Sequence, residues 1–101
     1  MSTASKGRAR EWQSRDMMIA KGYDVGRFAG SKGGTYGPVD LICSRPKGDP
    51  CWVWLSIKCN SWPGREEMRQ LRGLSRRNPR PGHQVRIHRY DDRRGLRERT
   101  V

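Results

Sequence analysis

Hydrophobic and polar positions divide the chain into short, readable stretches. From residue 6 to residue 21 only Gly7, near the start, interrupts a helical reading, and Gly22 supplies a stop. The apolar stripe on that helix, Ala9, Trp12, Ile19 and Ala20, is imperfect because Asp16 falls within it. Residues 23–28 read as a short strand. The loop AGSKGGTYG follows, with four glycines that let backbone approach a ligand closely. A second strand, PVDLICS, is closed by the turn RPKGDP. The strongest strand signal is CWVWLSIK, where Val53, Leu55 and Ile57 share one face and Trp52, Trp54, Ser56 and Lys58 the other. Ser61 is placed to cap a second helix with Pro63 in its first turn. Met68, Leu71 and Leu74 recur along that helix every three residues. NPRPG ends it, and HQVRIHRY is a last strand with Val85 and Ile87 turned inward.

The order is therefore α-β-β-β-α-β, an α/β fold with a small mixed sheet flanked by helices. Residues 1–5 read as a disordered tail, 6–90 as one domain, and 91–101 as a charged, solvated C-terminal tail. Trp52 and Trp54 are assigned to the core against a helix, and Trp62, beside a proline, to the surface.

Composition narrows the functional class. The 101 residues hold 22 Lys and Arg against 10 Asp and Glu, a net charge of +12, and 17 of the basic residues are Arg. Mean hydropathy is −1.01 and only 33% of residues are apolar, values that lean toward disorder, yet four Trp and three Tyr repay burial. No run approaches the roughly 20 apolar residues of a membrane helix, and no apolar block near the start suggests a secretory signal. A field this basic attracts polyanions, nucleic acid first, with membrane lipid, acidic proteins and a ribosomal-type role as alternatives. Cys43, Cys51 and Cys59 are odd in number, and His83 and His88 lie far downstream without zinc-site spacing. They read as reduced thiols packed in strands, which suits a cytoplasmic protein.

Four polar residues stand where a small fold would not place them without cause. Asp40 interrupts an apolar strand, Lys58 ends the most apolar one, Glu11 lies beside the stripe of the first helix, and Ser31 sits in the glycine-rich loop. A carboxylate and a lysine on neighbouring strands can converge on one point. There the acid would hold a hard divalent cation and the lysine would orient or activate a water. Against this stand plainer roles: an ion-pair Asp, a solvated Lys and an ordinary helix-face Glu.

The succession KGRAREW, GYDVGRFAGSKGG, GPVDLIC and WLSIKCN resembles archaeal-type Holliday-junction resolvases of the PD-(D/E)xK nuclease superfamily, over residues 6 to about 74. The resemblance implies a metal-dependent endonuclease that cuts branched double-stranded DNA. It gives Glu11, Asp40 and Lys58 the catalytic positions, with Ser56 in the catalytic E-x-K strand. It also implies Mg²⁺, with Mn²⁺ as substitute, held by Asp40, Glu11 and the main-chain carbonyl of Ile57. Lys6, Arg8, Arg10, Arg27, Ser31 and Lys32 would meet DNA, and the protein would act as a homodimer without an organic cofactor.

Two departures qualify this. The E-x-K strand reads Ser56-Ile57-Lys58, and a hydroxyl is a poor substitute for a carboxylate toward a hard cation. Some superfamily members look like S-x-K and take the acid from the following helix, where this chain has Glu66 and Glu67, with Glu66 slightly favoured as the earlier. Both also suit the helix dipole, and a decayed site that only binds DNA is the alternative. The chain is also short for the family, a compactness that suits a phage gene and hence the cytoplasm of a host cell. Eleven of the 22 basic residues lie between Arg65 and Arg97, beyond the stretch that carries the candidate chemistry.

Overall fold

The computed structural model describes residues 3–27, 38–48, 50–77 and 82–101, the first five of these by backbone only. Helix α1 (Thr3–Ala20) leads into β1 (Asp24–Arg27), β2 (Leu41–Ser44) and β3 (Trp52–Cys59). Helix α2 (Arg65–Arg77), β4 (His83–Asp91) and β5 (Gly95–Thr100) complete the chain. The five strands lie in sequence order, antiparallel throughout except for β3 and β4, which are parallel and joined through α2. A parallel pair needs such a crossover, because its connection must return the whole strand length.

Each helix covers one face of the sheet. Beneath α1, Met18 packs with Tyr23, Leu41, Cys43, Val53 and Leu55. On the opposite face Leu71 and Leu74 of α2 meet Val39, Trp54, Val85 and Ile87. The alternation expected for β3 and the inward Val85 and Ile87 are what the structure shows. Burying both faces of a sheet this small requires apolar residues on both sides of its central strands, which β3 supplies.

Helix α1 stops as its glycine dictates. Gly22 adopts φ +93°, its N–H donates to the Ile19 carbonyl (2.9 Å), and the Tyr23 N–H donates to that of Met18 (3.1 Å). That is a Schellman closure, completed by the Met18–Tyr23 apolar contact. The buried stripe of α1 is not the one expected, however. Trp12 is 53% and Ile19 51% exposed, while Ser14 and Met18 are fully buried. The sheet face beneath the helix is partly polar, so a serine facing His88 and Tyr90 fits better there than an indole.

Three further expectations change. Helix α2 begins at Arg65 with Gly64 at its N-cap (Met68 N–H to Gly64 carbonyl, 2.9 Å), three residues beyond the cap expected at Ser61. The intervening chain instead folds Trp62 onto the sheet, half-buried with the α2-side core. Trp54 is buried as expected, but Trp52 is 41% exposed at the sheet end, stacked on Trp54 and His83.

Finally, the charged run 91–101, read as a tail, contains strand β5. Arg94 N–H donates to the Asp91 carbonyl and Gly95 takes φ +74°. Asp92, Arg93 and Arg94 form the loop, and the left-handed glycine is the first residue of β5. At the other end of the chain α1 begins at Thr3, inside the expected tail of residues 1–5.

Candidate active site

Asp40 directly precedes β2, and Lys58 lies one residue from the end of β3, so the antiparallel pairing brings them to the same end of the sheet. The chain holds Asp40 firmly. Its N–H donates to the Leu55 carbonyl (2.8 Å), and its Oδ2 accepts from the Ile57 N–H (2.7 Å). Burial raises its carboxyl from the usual 3.8 to about 6; the Ile57 hydrogen bond opposes this, nearby Glu11 adds to it, Lys58 opposes it, and Glu67 adds to it. Two acids, one from each helix, thus act on the sheet's Asp40. The Ile57 carbonyl projects from β3 on the same side as its N–H, toward the Asp40 edge.

Glu11 lies three residues before Ser14 and seven before Met18, on the face that α1 turns to the sheet. It is largely buried and accepts a hydrogen bond from Arg27 Nε at 3.0 Å. Lys58 Nζ stands 2.5 Å from Glu67 Oε2. Glu66 points away into solvent and accepts two bonds from Arg69, which hold its carboxyl below the ordinary range. Of the two helix acids it is therefore the later one, Glu67, that reaches the site, against the slight preference for Glu66.

Ser56 is fully buried on the α2 side of β3, and its hydroxyl has no hydrogen-bond partner among the described residues. Arg8 and Arg10 lie on α1. Arg8 is exposed, while Arg10 stacks over Tyr90 (5.2 Å) and bonds Gln13. Ser31 and Lys32, with the rest of the loop 29–37, lie outside the described residues, as does the side chain of Lys6.

The donor set is all oxygen, which suits a hard cation, and Asp40 carries the repulsion that a cation would relieve. Among the described residues no three acids, histidines or cysteines stand close enough to close on an ion as they are placed. Glu11 and Glu67 are each turned to a cation of the protein itself, Arg27 and Lys58.

Sequence reasoning missed one constellation. Ser14 Oγ lies 2.8 Å from His88 Nδ1 and 2.5 Å from Tyr90 Oη, and His88 Nε2 lies 2.7 Å from Glu98 Oε2, with Arg86 beyond. This line, buried except at Glu98, pins α1, and hence Glu11, to β4 and β5. Burial holds the His88 imidazole below its ordinary range, opposed by Glu98.

No protein-family model and no curated protein matches the chain. Among solved structures it is similar to Hjc, a Holliday junction resolvase from the archaeal hyperthermophile Archaeoglobus fulgidus, with TM-score 0.67 and 17% identity. The likeness covers 94% of this chain and 72% of that one. The fold is that of the archaeal resolvase. The resolvase fold spans both helices and both faces of the sheet, and so includes every element that positions Glu11, Asp40, Lys58 and Glu67.

Proposed function

We propose that this chain is a divalent-metal-dependent endonuclease that hydrolyses phosphodiesters in branched DNA, with a four-way junction as its preferred substrate. The observation that carries the reading is the convergence of Asp40, Glu11 and Glu67 with Lys58 at one end of a resolvase fold. Partly buried acids gathered around a lysine, in a chain with net charge +12, have few plain structural roles.

Asp40, with Glu11 and the Ile57 carbonyl, would hold Mg²⁺ or Mn²⁺, and Glu67 would supply the acid that Ser56 lacks. A bound ion would polarise the scissile phosphate and lower the pKa of an attacking water. Lys58 positions that water and offsets the charge developing on the phosphorane. Its present partner Glu67 must release it, or share it, as DNA enters. Arg27 holds Glu11 in place and would lie near DNA phosphate. Arg8, Arg10 and Lys6, with Ser31 and Lys32 of the loop, would grip backbone without reading bases, so selection rests on DNA shape. Two copies, one per strand, would cut a junction symmetrically. The enzyme would work in the cytoplasm where that DNA lies, without an organic cofactor.

A second reading has a specific observation behind it. Ser56 is buried where the family places an acid, so the chain is alternatively a DNA-binding module that has lost its chemistry. Purified protein incubated with a four-way junction, a flap and a linear duplex, each with Mg²⁺ or Mn²⁺, separates the two. The expected result is metal-dependent nicking of the junction that disappears in Lys58→Ala and in Asp40→Asn. It falls by at least about tenfold in Glu67→Gln but little in Glu66→Gln. Salt-sensitive binding with no cleavage under either metal establishes the second reading instead.

A further inference from the structure

Helix α2 carries a charge pattern that its own stability does not explain. Arg65, Arg69, Arg72 and Arg76 are all exposed and spaced four, three and four residues apart, which lines them along one side of the helix, with Arg77 beside them. Like charges at these spacings repel, and among the described residues the acid paired with the stripe, Glu66, answers Arg69 alone. The stripe spans about 16 Å, roughly five base pairs of duplex rise.

Shape points the same way. Arg69, Gln70, Gly73, Arg76 and Arg77 line a groove, and Arg72, Ser75, Arg76 and Val101 line a second beside it, with Arg76 common to both. Gly73 opens the first groove. It stands in the middle of a helix, where glycine is disfavoured against alanine, and an added Cβ would meet only Arg77 Nη1, at an ordinary 3.4 Å. Internal packing therefore does not require a glycine there, but close approach from outside would.

The face continues onto the outer strand. Arg97 and Arg99 are register partners of Arg89 and Ile87 and so lie on the α2 side of the sheet. With Arg89 they stand over the Trp62 ring at 5.3–5.6 Å, and Asp91 pairs with both Arg89 and Arg97, so these guanidinium groups are held in place.

We infer that the outer face of α2, extended by Arg97 and Arg99, is a phosphate track that holds a nucleic-acid arm on the side of the sheet opposite α1. Guanidinium forks in a donor-lined groove match phosphate oxygens, and a continuous line of them matches a continuous backbone. The track starts beside the candidate site, because α2 opens with Glu67 against Lys58. The same charge excludes this face as a two-fold dimer interface, where the stripe would meet itself. The inference rests on the DNA-binding part of the proposed function and not on cleavage.

The test is binding of the whole protein to a fluorescent four-way junction and a duplex, without divalent metal, as a function of salt. The variant Arg69→Gln, Arg72→Gln, Arg76→Gln keeps helix-forming residues. Arg15→Gln, Arg93→Gln, Arg94→Gln matches its loss of charge at exposed positions off the track. Each phosphate contact contributes about 0.9 to the slope of log K against log salt. The track variant is expected to lose about 2.7 of slope and to bind at least about tenfold more weakly at low salt, while the control changes by under threefold. Gly73→Glu, which puts a carboxylate in the groove, is expected to weaken binding further than Gly73→Ala, with both folded by circular dichroism. Equal effects of the two triple variants, or no effect of the first, overturn the inference. So does a loss confined to vesicles containing phosphatidylserine. A wild-type chain that shows no salt-dependent DNA binding overturns the DNA reading itself.

Discussion

Asp40 must be ionised to hold a cation, yet it sits where ionisation is disfavoured. Its carboxyl is raised to about 6 because burial and two neighbouring acids outweigh the Ile57 hydrogen bond and the Lys58 charge. A carboxyl whose folded value lies above its unfolded one contributes stability below the unfolded pKa, near 3.8, and loses it as pH rises through about 6. Near neutral pH, without metal, ionised Asp40 therefore costs about 2–3 kcal/mol relative to a neutral isostere. Asp40→Asn, whose side-chain oxygen can still accept from Ile57, is expected to raise Tm at a pH of about 7.5 in EDTA. The gain shrinks as pH falls from about 6.5 and vanishes near 4, while cleavage is abolished at every pH. A variant less stable than wild type at neutral pH would show that the carboxylate is held by favourable contacts. This residue was readable in the chain, since an acid in the apolar run PVDLIC has few structural reasons to be there. Ser14, His88 and Tyr90 were not readable. Ser14 is separated from its two partners by 74 and 76 positions, and no local pattern relates residues so distant.

Among the elements, periodicity identified β3, β4 and the inner face of α2, where apolar residues repeat because both sides of them are covered. It failed at the rims. Strand β5 has only one partly buried apolar residue, Leu96, among four charged or polar ones, because an edge strand faces solvent on most sides. Its evidence was in the turn instead: DDRRG ends on a glycine, which takes φ +74° as the chain enters β5. The outer strand holds more than its composition suggests. Glu98 meets His88, Arg97 meets Asp91, and Val101 donates to the Val85 carbonyl at 2.8 Å. Gly95→Val, which forces a branched side chain into φ +74°, is expected to cost about 1–2 kcal/mol and to lower Tm by roughly 5–10 °C. Gly26→Val, in strand β1, outside the left-handed region and with open space around an added Cβ, serves as its comparison in thermal unfolding. An unchanged Tm in Gly95→Val would return the run to the solvated tail that its charge suggested.

For the molecule as a whole, charge acts on folding and on binding with opposite signs. A net charge of +12 on a 101-residue chain opposes compaction, and salt screens that repulsion. Without nucleic acid, Tm is therefore expected to rise as salt increases from about 0.05 to 0.5 M. Bound DNA supplies the opposite charge, and a ligand at 100 times its Kd adds about 2.7 kcal/mol to stability, roughly 10–20 °C in a domain of this size. That gain must fall steeply over the same salt range, because binding driven by phosphate contacts releases counterions. The two melting curves, with and without a four-way junction, should thus be widely separated at low salt and converge at high salt, the free protein rising to meet the complex. The convergence point depends on the arginines that touch phosphate and not on total charge. It should move to lower salt in the Arg69, Arg72, Arg76 variant, while the free protein of that variant melts higher at low salt because it repels itself less. A free protein whose Tm falls with added salt would mean that its stability depends on ion pairs such as Glu11–Arg27 and Lys58–Glu67 more than on relief of repulsion. In that case the cluster of acids at the end of the sheet would be acting as a structural counterweight to the arginines, and the separation of grip from chemistry in this chain would be lost.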